Sequence, residues 1–313
     1  MKHLALQLLF CFLIIFTSNA QNDILNSKVY ELDSSSSLLS RIGETPSKIL
    51  DRFRDAGMNP SRHTLTREEH KIVSSALNEL PPLHQRVLKK HLLRISFLDN
   101  MPNTAFTAPI SPNDSIKLYA ITVRAEILNQ TVSEWLTEKE RNCFDFSNTN
   151  LNVSIRAGEL SAILYVLIHE ATHIVDGALN LTPQYTVPQR EIENSLKSNP
   201  FTANIWKNRI EPIEIFQNKM LDEIYFKSRK KMPINKSQEI YGALKNSPFV
   251  SLYGRNSYHE DLAEIATIYH FTKKLKQEYQ IVIAKGNSKL FSYEPMKSML
   301  VKNRLPQLEY FYL

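Results

Sequence analysis

Apolar residues recur at helical spacing in some stretches of this chain and alternate with polar ones in others. Thr66-Arg67-Glu68-Glu69 fits a capping box, in which the hydroxyl and the carboxylate satisfy each other's backbone donors. Ile72, Val73, Ala76, Leu77 and Leu80 follow at helical spacing. Pro81-Pro82 ends that helix, and a second begins at once with Val87, Leu88, His91, Leu92 and Ile95 on one face. Ile116 to Leu128 alternates as a strand, with Tyr119, Ile121 and Val123 on one side and Lys117, Thr122 and Arg124 mostly polar. A helix around Ser133 to Asn142 and a short strand from Leu151 to Ile155 come next. Gly158 then breaks the chain before a strongly apolar helix, Glu159 to Asp176, whose stretch Ala162 to Ile168 is polar only at Tyr165. A helix apolar all round is buried in the body of a fold. Residues 190–248 read as helical and irregular, and helices resume from about His259 to Tyr279. The succession predicts an α+β fold, a small mixed sheet packed on the buried helix and a mostly helical C-terminal part. No repeat period is present, which argues against solenoids and propellers.

The first sixty residues follow other rules. Lys2 and His3 precede a nearly unbroken apolar run, Leu4 to Phe16, and Ser18 and Ala20 stand where a signal peptidase reads small residues. The run is shorter than the roughly 20 apolar residues that span a bilayer, so residues 1–20 read as a signal peptide cleaved after Ala20. Phe10 before Cys11 argues against a lipoprotein signal, and no later segment reads as long and apolar enough to cross a membrane. Residues 21–60, with the serine run Ser34 to Ser37 and Gly43, Pro46, Gly57 and Pro60, read as a loose leader with one short helix around Ser47 to Arg54.

Composition narrows the classes further. The 313 residues are 42% hydrophobic and 22% charged, which suits a soluble globular protein and excludes collagen, low-complexity and disordered chains. A net charge of +6 is mild for this length, and the basic residues Arg86, Lys89, Lys90 and Arg94 read as a solvated helix face, so no nucleic-acid partner is expected. After signal cleavage the one remaining cysteine, Cys143, has no intramolecular partner and reads as a buried thiol. An exported protein without disulfides relies on its core or on a bound metal. Asn-x-Ser/Thr triplets such as Asn129-Gln130-Thr131 matter only in a eukaryotic secretory route.

The apolar helix carries His169-Glu170-Ala171-Thr172-His173. Two histidines four apart share a helical face and can both reach one zinc-sized ion, while Glu170 leans beside it to take a proton from bound water. Charged groups enter so apolar a helix only when something satisfies them, and a metal does so. A third protein ligand is still needed. Glu260 and Glu264, four apart on a helical face in Tyr258-His259-Glu260-Asp261-Leu262-Ala263-Glu264, offer one carboxylate for the metal and one to orient a ligand histidine. Tyr253 precedes them and can donate its hydroxyl to an oxyanion. Asp176 as a direct ligand, Glu264 in place of Glu260, and ligand roles for His259 or His270 stay open on spacing alone. Asp261 reads as a solvated helix residue, Arg255 as a surface salt bridge, and Met220 as plain helix.

His-Glu-x-x-His-x-x-Asp followed by Tyr-Gly-Arg-x-x-x-x-Glu-x-x-Ala-Glu resembles the catalytic domain of anthrax lethal factor and is similar to the secreted Pro-Pro endopeptidases, both in the gluzincin clan of zinc metalloproteases. The resemblance is specific at these two blocks and vague between them. It implies a zincin-like metallopeptidase domain over residues 61–313 and one zinc ion on His169, His173 and Glu260. It further implies Glu170 as general base, Tyr253 as oxyanion donor, and Asp176 and Glu264 supporting the ligands from behind. The expected activity is exported endopeptidase cleavage of a peptide or protein substrate, with no membrane insertion after signal cleavage. The expected docking site is the edge of the sheet that holds Ile116 to Leu128 or Leu151 to Ile155. A zinc-stabilised binding module that cleaves nothing is the alternative.

Overall fold

The computed structural model describes residues 32–110, 117–147, 149–184, 189–224, 226 and 231–313. The signal peptide read over residues 1–20, the start of the loose leader and Ile116 lie outside the described residues. The chain is a mixed α+β protein with small sheets. The first sheet orders β1 (Ser61–Arg62), β2 (Leu92–Asp99), β3 (Ala105–Pro109) and β4 (Tyr119–Arg124) as β1-β2-β4-β3. Here β2 and β4 run parallel and β3 runs antiparallel to β4. β5 (Phe144–Asp145) pairs with β7 (Met232–Pro233). β6 (Leu151–Arg156), β8 (Gln280–Lys285) and β9 (Ser288–Tyr293) form an antiparallel sheet in the order β6-β8-β9.

The longer helices are α1 (Ser47–Asp55), α2 (Arg67–Asn78), α3 (Pro82–His91), α4 (Val132–Arg141), α5 (Ala162–Leu179), α6 (Gln189–Ser198), α8 (Ser237–Lys245) and α9 (Tyr258–Tyr269). Single-turn helices α7 (Lys219–Asp222) and α10 (Met299–Lys302) complete the set among the described residues. The Thr66–Glu69 capping box opens α2, and a second one, Thr131 with Glu134, opens α4. α5 is the hub, packed against α2, α3, α4, α9 and β3. Ile163, Ile168, Ile174 and Val175 on it are fully buried. Each such side chain contributes about 1.5–3 kcal/mol, so burial holds this helix, whose N-cap Ser161 makes no side-chain bond.

Five expectations change. α5 is long and apolar enough to cross a membrane by composition, yet 78% of it is buried inside the fold, as in a core helix. The second predicted helix stops at His91, and Leu92 and Ile95 lie on β2 instead. β4 has Ala120, Ile121, Thr122 and Val123 all buried, because it lies inside the sheet and is covered on both faces. The C-terminal part contains β8 and β9 as well as helices, with a π-helical turn, His270–Lys274, ending α9. The leader is also better packed than its composition predicts. Leu38 joins the main core, Ile42 bridges Ile95, and Leu50 and Phe53 on α1 pack with Leu98 and Met101.

Candidate metal centre

The centre lies where α5 meets α9. His169 and His173 sit one turn apart on α5, with ring centroids 4.9 Å apart and planes nearly perpendicular. Glu260 stands in the first turn of α9, whose N-cap Ser257 accepts from the Glu260 amide at 3.2 Å. Its neighbours anchor that turn. The Tyr258 hydroxyl donates to Pro183 O at 2.8 Å. Asp261 is fully buried, paired with Arg304 at 2.6 Å and accepting from Trp206 Nε1 at 2.9 Å. With its neighbours locked inward, Glu260 is aimed at α5. Glu260 Oε2 is 3.0 Å from His169 Nε2 and 3.5 Å from His173 Nε2, and the two Nε2 atoms are 3.3 Å apart. His169, His173 and Glu260 together could hold a metal ion.

Glu264, one turn along α9, backs the first histidine. Its Oε1 is 3.1 Å from His169 Nδ1, a charge contact not aligned as a hydrogen bond, and its Oε2 accepts from Ser251 Oγ at 2.6 Å. Asp176 does something else. Its oxygens accept from the Thr182 amide and hydroxyl, both at 2.7 Å, and meet His259 Nδ1 at 2.8 Å. It thereby ties the end of α5 to the residue beside Glu260.

Electrostatics favour a cation here. Burial opposes the His169 imidazolium, but Glu260 and Glu264 outweigh burial and push it up to about 10. His173 moves up in the same way, against burial, through Glu260. The imidazoles in turn hold the Glu260 carboxyl well below its usual range despite burial. Tyr253 leans on His169 with ring centroids 5.8 Å apart. Glu260 first, then burial, Glu170 and Glu264 hold its hydroxyl far above the usual phenol range, so it keeps its proton and can donate.

Glu170 is buried on α5, and Thr107 Oγ1 on β3 donates to its Oε2 at 2.7 Å. Thr107 and Lys139 carry no motif in the sequence and emerge only from the fold. Ser251 stands two residues before the second motif block, and its role is set by the turn before α9. Four other residues have structural places. Asp261 is a buried ion-pair partner, not a solvated residue. Arg255 is 7% exposed and bonds Ile210 O and the half-exposed Asp222, so the pair lies at the surface with its arginine turned inward. His270 is buried against Tyr312, and Cys143 is a buried free thiol whose ionisation burial disfavours. No family model, no curated protein and no solved structure matches the chain.

Proposed function

We propose that this chain is an exported zinc endopeptidase of the gluzincin kind, with a zincin-like arrangement of sheet, motif helix and ligand helix. One observation carries the reading. Ligands about 2.0–2.1 Å from a tetrahedral zinc lie about 3.3 Å from one another, and the three donor atoms here are separated by 3.0, 3.3 and 3.5 Å. The set of two imidazoles and one carboxylate is that of catalytic zinc sites with a position left open for water or substrate. The N-terminal charge, apolar run and small residues support export.

His169, His173 and Glu260 would hold the zinc, with Glu264 fixing the His169 ring. Zinc, when bound, supplies Lewis acidity, bringing the pKa of water it holds toward neutrality. Glu170 is placed to take a proton from an attacking water at the scissile carbonyl and to return it to the leaving amine. Tyr253 donates to the carbonyl oxygen as negative charge develops there.

The peptide docks along β3, at the edge of the same expected sheet that contains β4. β4 is flanked by β2 and β3, so it has no free edge. The outer side of β6 is occupied by α4 hydroxyls: Ile155 N donates to Thr137 Oγ1 and Ala157 N to Ser133 Oγ, each at 2.9 Å. β3 stands at the end of its sheet. Arg124 N donates to Thr104 O and Ile110 N to Leu118 O, so residues 104, 106, 108 and 110 face β4. Ala105, Thr107 and Pro109 therefore turn their backbone groups outward. A peptide pairing there lies against the same Thr107 that holds Glu170.

The test is peptide-library cleavage by the wild type with and without chelator, beside Glu170→Gln. Chelator-sensitive cleavage, with Glu170→Gln retaining zinc and losing about 10²–10⁴-fold in rate, is expected. Retained zinc with unaltered cleavage sinks the base assignment, and zinc binding without cleavage in the wild type leaves a binding module.

A further inference from the structure

Lys139 lies outside both motif blocks, on the inward face of α4, with its side chain only 16% exposed. Its ammonium stands 3.9 Å from the centre of the Tyr253 ring and 3.5 Å from Glu264 Oε1. The rings of Trp135 and Phe226 flank it at 5.2 and 5.6 Å, and Phe226 meets the Tyr253 ring edge-on at 5.1 Å. One cation thus touches the ring of the oxyanion donor and the carboxylate behind the first histidine.

We propose that Lys139 is a positioning residue that sets Tyr253 and the Glu264–His169 pair together; the proposal rests on the zinc endopeptidase reading. An ammonium over the face of a phenol is held by the ring quadrupole, most strongly where water is excluded. It also draws electron density from the ring, which makes the hydroxyl a stronger donor toward a developing oxyanion. On its other side, the same charge balances a buried carboxylate that would otherwise face desolvation with one aligned partner, Ser251. A lysine placed only to neutralise Glu264 has no need of the Tyr253 face. One placed only to pack that ring has no need of the carboxylate.

The experiment compares Lys139→Met and Lys139→Arg with the wild type in the full chain. It reads zinc affinity by chelator competition, the visible spectrum of the cobalt-substituted protein, and kcat and KM on a peptide the wild type cleaves. Lys139→Met is expected to weaken zinc about 10-fold and alter the cobalt spectrum, as loss of a ligand-orienting neighbour does. It should lower kcat by about 10-fold or more with KM within about 2-fold. Lys139→Arg should recover most of each. In a Tyr253→Phe background, Lys139→Met should cost much less in kcat than in the wild type, because the pair acts as a unit. Unaltered zinc affinity, spectrum and kcat in a folded Lys139→Met protein overturns the proposal, as does full additivity with Tyr253→Phe. If Lys139→Met does not fold, Lys139→Gln, a polar chain without the charge, takes its place, and a rate and zinc affinity equal to those of Lys139→Arg overturn the proposal. If the wild type cleaves nothing, the endopeptidase reading has failed, while the affinity and cobalt measurements still judge the Glu264–His169 half.

Discussion

Thr107 reaches Glu170 from 63 positions earlier in the chain, and its hydroxyl holds one carboxylate oxygen at 2.7 Å. Thr107→Val keeps the shape and removes the donor, leaving Glu170 free to turn. We expect zinc content to stay at the wild-type level while peptide cleavage drops about 10-fold, less than the roughly 10²–10⁴-fold that losing the proton-transfer group outright costs. Equal cleavage rates in the two proteins would remove Thr107 from the machinery. The contrast with His169, His173, Glu260 and Glu264 shows what a sequence exposes. Those four lie on two helices at spacings of four, so a local period brings them into view. Thr107 and Lys139 reach the centre through a strand and a helix whose placement depends on long-range packing, and no local spacing marks them.

Elements were legible where one face meets solvent. α2 carries a capping box and a clean apolar stripe, and both are present as expected. β2 was hidden because Leu92 and Ile95 also satisfy the period of the helix before them, and a short apolar run fits both periods. The close approach of α5 to the sheet has its own requirement at Gly177. A Cβ there would stand 3.1 Å from the Tyr119 carbon that bears the hydroxyl, and nearer still to the oxygen. Lys117 Nζ bonds the Gly177 carbonyl and Asn180 Oδ1, at 2.6 and 2.8 Å, which fixes the strand end against the helix. Gly177→Ala should therefore destabilise by about 1–3 kcal/mol, the usual cost of overpacking. Tyr119→Phe in the same chain should recover part of that loss in denaturant midpoint; no recovery would place the strain elsewhere.

Across the whole molecule, two buried histidines lie beneath the C-terminal segment. His84 bonds Thr172 Oγ1 at 2.8 Å and stacks on Phe311, and His270 bonds the Tyr312 hydroxyl at 2.8 Å. Burial, with the charge of His270, lowers His84 to about 3, and burial, against a backbone bond at Glu79 and with the charge of Lys274, lowers His270 to about 4. Both are depressed below the usual value near 6.5, so the unfolded chain takes up protons first as pH falls, and stability is lost from about pH 6.5 downward. Glu140, raised by burial to about 7, and Asp261, also raised by burial, run the other way, so the histidine contribution is isolated by substitution. In His84→Gln the slope of stability against pH between about 4.5 and 6 should be smaller by about 1.4 kcal/mol per pH unit, the worth of one proton. Parallel slopes in urea titrations of the two proteins would rule this out.

The outward edge of β3 has one further consequence. Pro109 closes that edge with a residue that has no amide hydrogen to offer, leaving Ala105 and Thr107 as the outward donors of the strand. A partner strand finds a donor and an acceptor at Ala105 and at Thr107, and only an acceptor at Pro109. The missing donor blunts this edge against strand pairing between neighbouring copies, which lowers its tendency to stack into a growing fibre.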